Sequence, residues 1–346
     1  MHSLVSRRKF VALAGAALGP PALNARGKLR SIETPYKYSR LVLSPSGKEG
    51  EYDSKSVDCP FVFHHDGSWW MTFVAFDGIG YQTGLAKSQD LVNWEKIGCI
   101  LKRDPNSPIR KYNVAMNWIV RENSMSSRGE ALRIHGRYIG VYHAYPGSGY
   151  EQGAAVIGLA YSKDLLHWEP GDPILRPEDG TDWERGGLYK PCLVLEKGTY
   201  YLFYNAKNHT SSPWHEQSGV AMSRDLKTWT RYAGNPIITN GGPGSPDEVF
   251  ASDPCVLRNG PEWAFFYFGL DTKGVARDLA ATGKDLFHPV KYPKPLIDVG
   301  PPGSFDSQYA HKPSIVCSGS DLYHFYCAVG GLSGVRGIAV ARSRPW

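Results

Sequence analysis

The sequence contains no Cys-x-x-Cys pair, no His-Glu-x-x-His and no Gly-x-Gly-x-x-Gly opening a helix. Those absences remove zinc-site, dinucleotide-binding, haem and iron–sulfur spacings from consideration. No charge run or Ser/Pro tract interrupts residues 50–346, which leaves no linker at which to divide the chain. Helical windows are missing as well, because Gly and Pro break each candidate before three turns are complete. Excess positive charge is confined to one end: six of the 39 Lys and Arg lie in residues 1–30 with no acid among them, and beyond that point the signs balance. A balanced surface lacks the electrostatic footprint of a nucleic-acid binder.

What is present is a repeat. Gly84-Leu-Ala-Lys-Ser-Gln-Asp-Leu-Val-Asn-Trp94 returns as Gly158-Leu-Ala-Tyr-Ser-Lys-Asp-Leu-Leu-His-Trp168 and Gly219-Val-Ala-Met-Ser-Arg-Asp-Leu-Lys-Thr-Trp229. Two worn copies begin at Asp278 and Gly337, and the five starts lie 74, 61, 59 and 59 residues apart. That period is the length of a four-stranded propeller blade with generous loops.

Each copy follows an aromatic run such as Trp69-Trp-Met-Thr-Phe-Val or Tyr200-Tyr-Leu-Phe-Tyr-Asn, which reads as a strand packed on both faces. Ahead of four runs lie turn pairs, Asp66-Gly67, His135-Gly136, Lys197-Gly198 and Asn259-Gly260, the signal for a hairpin. A further strand precedes the turn, opened by Pro60, Pro191, Pro254 or Pro313, where proline removes no ladder bond. The pattern predicts an all-β fold: a five-bladed β-propeller of four-stranded antiparallel blades around a central axial pocket, one domain over 28–346. With 42% hydrophobic and 12% aromatic residues the chain can bury a large core.

The N-terminus accounts for the basic excess. Ser6-Arg7-Arg8-Lys9-Phe10 followed by Val11 to Leu18 reads as a twin-arginine export signal, with residues 1–27 as signal and linker and Ala22 to Ala25 as the cleavage region. The reading implies a periplasmic or secreted protein, free of the membrane after cleavage. Since this route exports folded chains, Cys59, Cys99, Cys192, Cys255, Cys317 and Cys327 are read as small buried apolar residues.

A propeller gathers its innermost strands around the axis, so residues at their entrances converge. The entrances read Val57-Asp58-Cys59-Pro60, Ala115-Met116-Asn117-Trp118, Leu188-Tyr189-Lys190-Pro191, Ser252-Asp253-Pro254 and Ala310-His311-Lys312-Pro313. Ionisable groups crowded there must pair or be used, since burial of isolated charge is costly.

These residues carry a resemblance. From about residue 50 to 346 the chain resembles the five-bladed propeller glycoside hydrolases, in particular family 43 and more closely family 117. The likeness rests on the Asp-x-Pro strand, the Tyr81-Gln-Thr-Gly-Leu-Ala segment, the Ser-x-Asp-Leu-x-x-Trp hairpins, and the Asp-Pro and His-Lys-Pro strands. It implies Asp58 as general base, His311 as proton donor and Asp253 as the group orienting it. Family 43 uses a Glu acid near the start of a later blade, a place that Glu184 occupies. A His beside an Asp should be held protonated, because opposite charge raises its pKa above about 6.5. Glycosidic cleavage with inversion needs base and acid on opposite faces of the bond, and sites on different blades provide that gap.

Tyr81, Gln82, Asn117, Trp118, Arg121, His143, Lys190, Asn205 and Lys312 are the expected substrate-binding residues. No cofactor is expected. A structural divalent cation such as calcium in the axial channel is allowed by the resemblance, although the sequence supplies no complete ligand set. The function expected is an exo-acting, inverting glycoside hydrolase releasing a terminal anhydro-galactose, arabinose or related unit from an oligosaccharide or polysaccharide. A propeller glycoside phosphorylase is the enzyme alternative, kept open by Lys190, His311 and Lys312. A non-catalytic carbohydrate-binding propeller is the other, and would repeat its polar groups from blade to blade. Oligomeric state is not legible.

Overall fold

A computed structural model describes residues 28–331 and 334–346, so the export segment expected over 1–27 lies outside the described residues. The strands pair antiparallel in units of four. The first contains β2 (Ser56–His65), β3 (Ser68–Phe76), β4 (Tyr81–Ser88) and β5 (Trp94–Leu101); β1 (Tyr36–Lys37) precedes it in sequence but pairs elsewhere. Next come β6 (Ala115–Ile119), β7 (Tyr138–Ala144), β8 (Val156–Ser162) and β9 (Trp168–Leu175). The third holds β10 (Gly187–Glu196), β11 (Thr199–Lys207), β12 (Glu216–Ser223) and β13 (Thr230–Arg231), and the fourth β14 (Phe250–Asn259), β15 (Glu262–Leu270), β16 (Ala276–Gly283) and β17 (Val290–Lys291). In the last, β18 (Tyr309–Ser318), β19 (Asp321–Gly330) and β20 (Val335–Arg342) are completed by β1, with Tyr36 opposite Arg342. Among the described residues no helix is long and apolar enough to cross a membrane.

The repeat is a turn written in side-chain hydrogen bonds. Ser88 Oγ accepts from the backbone N–H of Asp90 and Leu91, Asp90 Oδ1 accepts from Val92 and Asn93, and the Trp94 indole N–H donates to the Leu91 carbonyl. The same bonds recur around Asp164 and Asp225. Leu91, Leu165 and Leu226 all take a left-handed φ of 63–68°; the Ser and Asp bonds hold the chain in a conformation that leucine alone disfavours. The Gly that opens each of the first three copies lies beneath an aromatic ring: a Cβ on Gly84 would enter Phe73, one on Gly158 would enter Tyr142, and one on Gly219 would enter Trp183.

A second element recurs at the outer edge. An acid ahead of the innermost strand accepts from a tyrosine on the second strand, 20 residues later, and pairs with a cation on the fourth. Asp247 meets Tyr267 and Lys291, and Asp306 meets Tyr326 and Lys37. Lys37 stands on β1, so in chemistry as well as pairing β1 serves as an outermost strand.

The entrances share an irregularity that positions the site. Register skips between Asp58 and Phe61, Tyr189 and Cys192, Ser252 and Cys255, and His311 and Ser314. At each skip the residue before proline has positive φ: Cys59 46°, Lys190 49°, Asp253 56° and Lys312 69°. These are bulges, which re-aim side chains. On a regular strand Asp253, Lys190 and Lys312 would point opposite to residues in the frame of Asp58 and His311. The bulge removes that conflict, and His311, Lys312, Lys190 and Asp253 all line one cleft.

Candidate active site

The cleft at the strand entrances has about 130 Å³ of free volume. Its floor is made by the bulge residues Lys190, Asp253 and Lys312, and its walls by Glu151, Glu216 and Arg336 with the rings of Tyr150, Phe250, Phe268 and Tyr309. Antiparallel order explains the wall: an innermost strand and the third strand of its unit begin at the same end, so Glu216 opening β12 and Arg336 on β20 reach the same mouth.

Three carboxyl groups face this space. Glu216 is buried and accepts from Ser252 Oγ at 2.6 Å, Trp214 Nε1 at 2.9 Å and Asn205 Nδ2 at 3.3 Å. Burial, and then the charge of Glu151, nevertheless raises its pKa above the usual carboxylate value. Asp253 is pushed up to about 7 by burial, against the pull of Lys190 and Lys312 and with help from Glu216 and Glu151. Glu151, at a positive φ of 56°, accepts from the Tyr81 hydroxyl at 3.4 Å. The site therefore holds two carboxyls biased toward the protonated form beside a third carboxyl group, the raw material of acid–base chemistry.

The expected base is placed differently. Asp58 Oδ1 accepts from the Cys59 N–H, while Oδ2 accepts from Lys312 Nζ at 2.8 Å, Arg336 Nη1 at 2.9 Å and Tyr150 OH at 3.0 Å. Burial alone would raise its pKa, but Lys312 and Arg336 overcome that and hold the carboxyl well below the usual range. Asp58 lies behind the cleft wall with its lone pairs taken by donors, so it anchors two cations and is not free to deprotonate water.

His311 lines the cleft, yet the expectation of an imidazolium fails. Burial, with Lys312 and Arg336 close by, lowers its pKa well below the ordinary histidine value, and Asp58 is too weak a counterweight. Its Nδ1 lies 3.1 Å from the Cys327 carbonyl, which can only accept, so Nδ1 carries the proton and Nε2 is left as an acceptor. A neutral imidazole in that tautomer cannot protonate a leaving group. Asp253 consequently has no imidazolium to orient.

Glu184 is also corrected. It is 1% exposed, accepts from Tyr204 OH at 3.1 Å and pairs with Arg231 at 3.0 Å. Tyr204 follows it by 20 residues, so this is the third unit's copy of the Asp247–Tyr267–Lys291 arrangement, remote from the cleft. Arg185, its neighbour in the chain, meets Asp182 instead.

Among the expected sugar contacts, Lys190 and Lys312 line the cleft. Tyr81 sits one layer behind, against Tyr150 at 5.1 Å between ring centroids. Asn205 supports Glu216. His143 is fully buried, with its pKa lowered by burial and by Lys190 and Lys312, and packs on Tyr145. Gln82 accepts from the Arg103 N–H. Arg121 donates to the carbonyls of Val62 and Ile315 inside the core, joining the first and last units, so it cannot reach a sugar. Asn117 and Trp118 open on a second, smaller cavity along the axis, which shares Lys190, Asp253 and Lys312 with the cleft. Those two ammonium groups do not suit a divalent cation in the channel, and among the described residues no cluster of His, Cys, Asp and Glu is arranged to hold a metal ion.

Sequence reasoning leaves Glu151 and Glu216, which precede equivalent hairpins, open between pocket and solvent, and passes over Arg336 as a site residue. The signal was available: each lies at or near the entrance of a repeat copy, on the end of the unit that the innermost strand also enters.

Comparison with known proteins finds carbohydrate-active enzymes. The model for the glycosyl hydrolases family 32 N-terminal domain matches residues 122–278. A 1,2-beta-oligomannan phosphorylase from Thermoanaerobacter sp. (strain X514) is 25% identical over 177 residues, 50% of this chain and 50% of its own; the chain thus spans about half of that relative's length. A solved BT0996 RGII complex superposes with a TM-score of 0.77 at 29% identity over 90% of this chain and 92% of its own. A solved glycoside hydrolase does so with 0.77 at 28% over 91% and 93%. In sequence and in fold, this protein is similar to propeller glycoside hydrolases.

Proposed function

We propose that this protein is an exported, exo-acting glycoside hydrolase whose four-stranded units are the five blades of a closed propeller. The observation that carries the reading is the trio Glu151, Glu216 and Asp253 over one confined cleft, with two of the three biased toward holding a proton. Glu216 gives its proton to the leaving oxygen, its orientation fixed by Ser252, Trp214 and Asn205. Glu151 is the carboxylate that deprotonates water. Asp253 shares the proton pool and, with Lys190, Lys312 and His311 Nε2, binds sugar hydroxyls on the floor. Tyr150, Phe250, Phe268 and Tyr309 offer rings to the sugar's apolar face.

A cleft confined to about 130 Å³ and walled by aromatic rings favours attack at a chain end. The released sugar is proposed to be an anhydro-galactose, arabinose or related unit, with inversion, and the twin-arginine segment over 1–27 to deliver the enzyme to the periplasm or medium.

The test is a screen of the purified enzyme and its Glu216→Gln and Glu151→Gln variants against algal, plant and bacterial-wall oligosaccharides, with proton NMR of the first anomer released. Monosaccharide release by the wild type alone supports the reading; internal cleavage or undiminished variants overturn it.

A second reading has its own observation. Lys190, Lys312, Arg336 and His311 form one cationic side of the cleft, and one relative is a phosphorylase. Phosphate-dependent formation of a sugar phosphate would establish phosphorolysis.

A further inference from the structure

Two bulge residues face each other across the axis in a way that the cleft's chemistry does not use. Lys190 Nζ lies 2.6 Å from Cys59 Sγ. A nitrogen–oxygen hydrogen bond spans about 2.9–3.0 Å, and sulfur is larger than oxygen, so a bond from an ammonium to a thiol should be longer still. A separation of 2.6 Å suits two atoms bonded to a common third atom. The electrostatics point the same way. Lys312 meets the Asp58 carboxylate, whereas the polar contact formed by the Lys190 side chain among the described residues is the sulfur. Lys190 is 5% exposed, and a buried ammonium without a close anion is costly.

We propose that Cys59 and Lys190 are the site of a covalent crosslink in which one oxygen atom joins Sγ to Nζ. The oxidant is dioxygen. Lys190 reacts as its free amine, its ammonium proton passing to water in the cleft that it lines. The amine, the thiol and one dioxygen then give the N–O–S bridge and one water. The O–O bond breaks and N–O and O–S bonds form; one hydrogen stays on nitrogen, and the two others leave in the water. Nitrogen and sulfur each give up two electrons, and the dioxygen takes up four. Both residues border the axial cavity, whose free volume of about 30 Å³ admits a molecule of that size.

The bridge ties β2 to β10 across the axis and replaces a buried cation with an uncharged amine. Both residues have positive φ, so the bulges that aim side chains into the cleft also bring this pair together. A reductant reverses the link and returns Lys190 to the cleft floor as a cation.

The experiment uses the full chain purified in air. It is denatured and treated with iodoacetamide without reductant, then digested and analysed by tandem mass spectrometry. The expected result is a crosslinked peptide joining the Cys59 and Lys190 segments, one oxygen heavier and two hydrogens lighter than their sum. It disappears on prior reduction, and Cys59 then becomes fully alkylated. In Lys190→Arg, which keeps a cation, Cys59 is alkylated without reductant. Full alkylation of Cys59 in the air-exposed wild type, or its conversion to a sulfinic acid with Lys190 unmodified, overturns the proposal. So does resistance of Cys59 to alkylation in Lys190→Arg.

Discussion

Lys312 Nζ and Asp58 Oδ2 meet 2.8 Å apart although 254 residues separate them in sequence. Both side chains are nearly sealed from solvent, at 7% and 3% exposure, and the carboxylate also receives Arg336. The pair therefore joins the first unit to the last and sets the direction in which Lys312 can point.

Asp58→Asn should act first on stability. It leaves two buried cations facing a neutral amide, and breaking a buried pair in this manner costs about 3–5 kcal/mol. Urea unfolding should show that loss. Because the Asp58 carboxyl is held below its unfolded value, its contribution is present at neutral pH and is lost as pH falls through the folded pKa; the wild-type advantage over the variant should shrink in acid.

Glu216→Gln and Glu151→Gln should each lower kcat by about 10²–10⁴-fold, the usual contribution of a positioned acid or base. Asp253→Asn should cost less. A variant whose kcat remains within threefold, roughly the scatter among contributions of one kind, does not hold the proposed role.

Activity should fall above about pH 7 as the carboxyl pool is deprotonated, and Asp253→Asn should move that alkaline limb, since Asp253 is pushed up to about 7. The stability sign is opposite to that of Asp58. A raised folded pKa means that the protonated form stabilises the fold in acid, and that contribution is lost as pH rises from about 4 toward 7. Thermal midpoints of wild type and Asp253→Asn measured across roughly pH 5–8 check this, the gap between them changing with pH as proton linkage to one buried group requires.

Glu184→Gln should separate structure from chemistry. It removes the anion that Arg231 and Tyr204 share, at a cost of roughly 3 kcal/mol, and should leave kcat at an assay temperature below unfolding unchanged. A large kcat loss with an unaltered midpoint would restore Glu184 to the catalytic set.

The sequence made the repeat legible because the turn, the Gly beneath a ring and the Pro-opened strand are each fixed by local chemistry. The position of Asp253, Lys190, Lys312 and His311 at a common mouth followed from that register. Their protonation did not. Whether His311 is charged depends on Lys312 and Arg336 outweighing Asp58, and no spacing along the chain reveals that balance. Glu184 misled for a related reason: an acid before a strand reads as a site until the 20-residue interval to Tyr204, shared with Asp247 and Tyr267, marks it as a repeated edge contact. Glu151 and Glu216 stood in plain view at the third-strand entrances, but only knowledge of which end carries the mouth distinguishes them from solvent-facing residues.

The sheet that ends with β20 takes its outer strand from β1, near the opposite terminus. A chain still lacking β18–β20 leaves β1 without its partner, so that sheet is complete only once β20 has been made. Loss of β18–β20 would leave β1 with a raw strand edge, a feature prone to self-association.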